Sequence, residues 1–183
     1  MPKKQFGIYS LFEDMRFFTL LLFVLFAVSC PAQSIDKRYR STITQTGTLH
    51  FFRPMKLTNV ENVDKFVYDM TYISNTDSVT LNFTSEIKNP QKIEKVVLQA
   101  DGVVATENTP KMLYRDVLSS TYVERISVRL LYKDIEQAFK SETPLSFLIT
   151  LSDGTICKAT YPKSKWKKEN INITRILQSI KLQ

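Results

Sequence analysis

The chain reads as mainly β, an antiparallel β-sandwich of about eight strands with one short helix and one amphipathic C-terminal helix. Three observations predict this fold. Four stretches alternate apolar and polar residues with a period of two, two Asp-Gly dipeptides sit between apolar arms, and strand-like segments outnumber helical ones. An α+β roll, with the last helix packed across one open sheet, is the alternative.

In chain order, the first element is a targeting segment. Phe17 to Ser29 (FFTLLLFVLFAVS) is uncharged and largely apolar, with Met15-Arg16 before it and Cys-Pro-Ala-Gln after it. As a helix it would be about 20 Å long, short of the ~30 Å hydrocarbon thickness of a bilayer. It is expected to be a signal peptide, cut after Ala32 or directly before Cys30. Ala27-Val28-Ser29-Cys30 resembles a bacterial lipobox, which makes Cys30 the lipidation candidate. Residues 1–32 then form an extension plus signal, with Met1 or Met15 as the start, and residues 33–183 form a single β-rich domain. The expected location is the periplasm or exterior, alternatively the membrane surface through a Cys30 anchor, with no transmembrane span in the mature chain.

The alternating stretches are Ile43 to Phe52, Phe66 to Ser74, Val79 to Ile87 and Tyr122 to Tyr132. Ile93 to Ala105 adds a hairpin around Asp101-Gly102, bounded by breaks at Asn89-Pro90 and Thr109-Pro110, because proline donates no ladder hydrogen bond. Asp134 to Lys140 predicts a two-turn helix with Asp134 as N-cap.

For the second hairpin the register can be argued. A two-residue Asp153-Gly154 loop would set Ile149 opposite Lys158. A three-residue Ser152-Asp153-Gly154 loop sets Ile149 opposite Cys157, Phe147 opposite Ala159 and Leu145 opposite Tyr161, giving one apolar face. That register is expected, with Gly154 left-handed and Cys157 facing inward. Last, Ile173, Ile176, Leu177 and Ile180 follow helical spacing and predict a twelve-residue helix capped by Asn170 or Asn172.

Composition removes several functions. Four glycines and one histidine leave no glycine-rich phosphate loop and no His-based zinc-protease helix. No cofactor and no metal are expected, since the aspartates lack calcium-loop spacing. His50 could pair with a serine or with Cys157 as a general base, yet no nucleophile elbow is present, and a strand histidine is expected to be structural. An inward Cys157 is expected to be inert. The sequons at Asn82 and Asn172 read as chance matches. With Cys30 removed or lipidated, no internal disulfide is expected.

Charge supplies the main asymmetry. The formal net charge is +7; seven basic residues from Gly154 onward stand against Glu169 alone, contributing +6, while residues 31–153 balance at fifteen against fifteen. Lys158, Lys163, Lys165, Trp166, Lys167 and Lys168 are the candidate binding residues. Trp166 has two readings: stacking on a sugar or sitting at a headgroup boundary, or closing the core edge beneath lysine stems, which is preferred. The expected role is non-enzymatic binding or structure in the envelope, with anionic lipid, polysaccharide or an envelope protein as partner and no nucleic acid. The alternatives are a hydrolase using carboxylates in a cleft, or a lipid-anchored accessory subunit of a membrane complex.

Overall fold

Alternation along the chain becomes two facing antiparallel sheets in the computed structural model, which describes residues 37–181. Phe17 to Ser29, the expected signal segment, and Cys30 lie outside the described residues. Strands β1 (Tyr39–Thr44), β2 (Gly47–Leu57), β4 (Lys65–Ile73), β5 (Ser78–Ile87), β8 (Lys111–Leu118) and β9 (Thr121–Leu131) build a six-stranded sheet in the order β1-β2-β4-β5-β9-β8. Strands β3 (Asn59–Glu61), β6 (Ile93–Ala100), β7 (Val103–Glu107), β10 (Ser146–Leu151) and β11 (Ile156–Thr160) build a five-stranded sheet in the order β3-β11-β10-β6-β7. Helix α1 (Tyr132–Lys140) joins the two sheets, and helix α2 (Lys163–Lys181) follows β11. From Arg38 onward the chain clusters as one unit.

The core lies between the sheets and follows the period-two pattern. On β5, Val79, Leu81, Phe83 and Ile87 are buried; opposite them on β9 lie Ile126, Val128 and Leu130. Phe147 from the second sheet packs against Phe66 and Tyr68 of the first, each with ring centroids 4.9 Å apart. The Tyr68 and Tyr161 hydroxyls, 2.8 Å apart, tie β4 to the end of β11, and burial pushes both phenols well above their ordinary range.

Both hairpins form as the turn chemistry predicts. Ala100 pairs with Val103 across Asp101 (φ 46°) and Gly102 (φ 77°), the left-handed pair of a tight two-residue turn. Ile149 pairs with Cys157 and Phe147 with Ala159, and Gly154 adopts φ +82° with Cys157 buried. The second sheet removes the open-sheet roll.

Three boundaries differ from expectation. Ile43 to Phe52 is not one strand: Gln45 and Thr46 form a two-residue turn between β1 and β2, with Thr44 paired to Gly47. Alternation runs straight through so short a turn, and β1 is an exposed edge with no apolar face to announce it. Tyr132 opens α1 rather than closing β9, its N–H donating 2.8 Å to Asp77 O, and the N-cap is Leu131 rather than Asp134, with no side-chain cap. Helix α2 spans 19 residues and starts at Lys163, not at Asn170 or Asn172. Pro162 O accepts from both Lys165 N and Trp166 N at 2.9 Å, so the helix begins directly after the proline.

Candidate functional site

The basic segment occupies the first two turns of α2. Trp166 extends the apolar stripe of this helix, seven residues before Ile173 and fourteen before Ile180, and only 2% of it is exposed. Its indole N–H donates to Ser141 O at 3.0 Å, and its ring lies 6.0 Å from Phe139 and 5.1 Å from Tyr161. Asn170 Nδ2 donates to the same carbonyl, which closes the C-terminal end of α1. Trp166 is therefore held between the two helices and the end of β11, and no ligand can stack on its face in this conformation.

Burial of Trp166 forces its neighbours outward. Lys163, Lys165, Lys167 and Lys168 are all exposed. Among the described residues none of the four forms an ion pair, while the one acidic residue of the helix, Glu169, is taken by Arg38. Two of these cations, Lys163 and Lys165, stand in the first turn, at the positive end of the helix dipole, and no acidic residue accompanies them there. Each is unfavourable there for the helix itself. An open groove of about 750 Å³ runs beside them, bordered by Lys140, Glu142, Pro144, Lys163, Lys167 and Ile171. Ile171 is 44% exposed, between Lys168 and the exposed Arg175 on the solvent face of α2.

Lys158 stands apart from this cluster. It alternates with the inward Cys157 and Ala159 on β11, so it points away from the core, with Nζ 3.8 Å from Glu61 on β3. An exposed pair of this kind contributes little.

Asp77, Glu107 and Asp134 border one open pocket of about 490 Å³ together with Arg129. Glu107 is held below its ordinary range by the Thr109 hydroxyl and N–H, the direction opposite to that of a general acid. The buried carboxylates serve the strands instead. Asp69 accepts from Arg125 at 2.6 Å and Asn82 at 3.0 Å, and Glu124 from Arg115 at 2.7 Å. Cys157 is buried, with its thiol pushed up by burial.

His50 has an environment that its sequence neighbours do not reveal. It is fully buried; Nδ1 is hydrogen bonded to the Tyr39 hydroxyl at 2.6 Å and Nε2 to Ser74 Oγ at 2.8 Å. Its ring stacks between Tyr39 and Tyr72, with centroids at 5.9 and 5.7 Å. Register explains both bonds: Ser41 and Tyr72 lie directly opposite His50, so Tyr39 and Ser74 are diagonal neighbours on its own face. The serine lies 24 residues away, and only the β2–β4 pairing brings it near.

Comparison with protein-family models, with curated proteins and with solved structures finds no match, so chemistry at these positions carries the functional reading.

Proposed function

We propose that the mature chain is an exported, non-enzymatic envelope protein that makes a charge-driven contact with an anionic surface through the first two turns of α2. The observation that carries this reading is the placement of Lys163, Lys165, Lys167 and Lys168, all exposed and without an ion-pair partner among the described residues, on the first two turns of α2, with Lys163 and Lys165 at the helix end where positive charge is disfavoured. A local conflict of this kind disappears when an anion occupies the site. Ile171, exposed on the same face, adds an apolar contact of the sort that enters a headgroup boundary.

Magnitude sets the character of the contact. At ~1 kcal/mol per lysine, four lysines give ~4 kcal/mol, which alone is about millimolar binding. Such a patch orients a protein that a second signal holds at the membrane, and a lipid on Cys30 is the candidate for that signal. Among the described residues no helix is long and apolar enough to cross a membrane. NMR titration with bicelles tests the face: anionic bicelles are expected to shift amides from Lys163 to Ile171 and neutral ones to leave them unmoved. Shifts centred on β8 or β7 would reject it.

A further inference from the structure

We infer that a pocket beside the β1–β2 turn binds a single uncharged pyranose unit. The pocket, about 450 Å³, is independent of the lysine cluster, because the residue of α2 that lines it is Ile180, at the opposite end of that helix.

Strand register builds its wall. Ile43 of β1 lies opposite Thr48 of β2, and Ser74, just past β4, donates its N–H to Thr48 O at 2.9 Å, so the three form one row across the end of the sheet. Two residues before Ser74 stands Tyr72, whose ring centroid lies 4.5 Å from that of Tyr132, the first residue of α1. Asn75 follows at φ 71°, a left-handed position that asparagine tolerates.

The chemistry of the lining selects the ligand. In a chain with 25 basic and 18 acidic residues, none of those that line this pocket is charged. An ion entering it would lose hydration without meeting a counter-charge. The Thr44, Tyr72 and Tyr132 hydroxyls already donate to Gly47 O, Thr76 O and Leu177 O, at 2.6, 3.2 and 3.4 Å, which leaves their oxygens free to accept. Among the described residues no hydrogen bond engages the Thr48 hydroxyl or the Asn75 amide, so these two can donate. The ligand must therefore give and take hydrogen bonds at several points around its edge.

It must also present an apolar face, because Ile43, 87% exposed, joins Ile180 and the two tyrosine rings in the lining. A pyranose has both, with hydroxyls around the ring and C–H groups on its faces. The volume, near the lower end for small-molecule sites, suits one such unit. A rigid ring also binds at a lower entropic cost than an open-chain polyol with the same hydroxyls.

NMR titration of the isotope-labelled mature chain tests the site with four probes: methyl β-D-glucopyranoside, glucose 6-phosphate, glycerol and tetramethylammonium. The glucoside is expected to shift the amides of Thr48, Ser74 and Asn75 saturably, at about millimolar concentration, and the other three to act on them more weakly. Thr48→Val keeps the strand shape and Asn75→Gly keeps the turn, while each removes one polar side chain. Both are expected to weaken glucoside binding by about 3- to 10-fold and to leave the rest of the spectrum unchanged. Should either fail to fold, the ranking of the four probes on the wild type decides. No saturable shift at these amides up to about 50 mM glucoside, an equal or stronger response to any of the other probes, or unchanged affinity in both variants overturns the inference.

Discussion

Trp166 is the residue on which the two helices converge, since one indole fills the space between Phe139 and Tyr161 and satisfies the carbonyl that ends α1. Trp166→Ala is expected to destabilise the fold by about 3–5 kcal/mol, read from urea unfolding. His50 supplies a pH dependence. Burial lowers its folded pKa below the ordinary value of 6.5, so the unfolded chain binds the proton more readily. Stability is therefore full above about pH 6.5 and declines as the pH falls towards the folded pKa. Thermal melts between about pH 7 and pH 5 are expected to show this decline, and His50→Gln is expected to flatten the part that His50 causes. At this scale the sequence marked His50 and the lysines by residue type alone. Tyr39 and Ser74 carry no such mark, because their place beside the imidazole depends on strand register.

Among the elements, α2 shows most clearly where local pattern and tertiary structure part. Ile173, Ile176, Leu177 and Ile180 declare their stripe by spacing, whereas the first turns carry only lysines around one tryptophan and look like a charged loop. Pro162 and the docking of Trp166 make them helical. Lys163→Glu is expected to raise stability by about 0.3–1 kcal/mol in urea unfolding, since it places an acid at the positive helix end and four residues before Lys167. The same change is expected to weaken binding to anionic vesicles. Opposite signs in the two assays are what a functional lysine at that position requires. Strands β1, β3 and β8 were the least legible elements. The first two are exposed or short edges, and β8 is exposed along its length, including Val117 and Leu118, so no face alternates between core and water.

Over the whole molecule, the two-layer architecture was legible because most inward positions of β5, β9 and β10 are apolar at a period of two, and because two Asp-Gly turns fix their hairpins. Sheet order was not, since the pairing of β2 with β4 and of β10 with β6 depends on which faces meet after collapse. Charge follows the same division. The excess at the C-terminal end is readable from the sequence, while its division between Lys158 on the outer face of β11 and the six basic residues of α2 required the fold. Residues 31–153 are thus neutral in sum while the excess lies from Gly154 onward, and the proposed function requires the lysines of the first two α2 turns to meet an anionic surface. Co-sedimentation with vesicles of phosphatidylglycerol and phosphatidylcholine, against phosphatidylcholine alone, tests this most directly. Binding to the anionic vesicles that falls with added salt and is lost on changing Lys163, Lys165, Lys167 and Lys168 to Gln is predicted; equal binding by the wild type and this variant would contradict it.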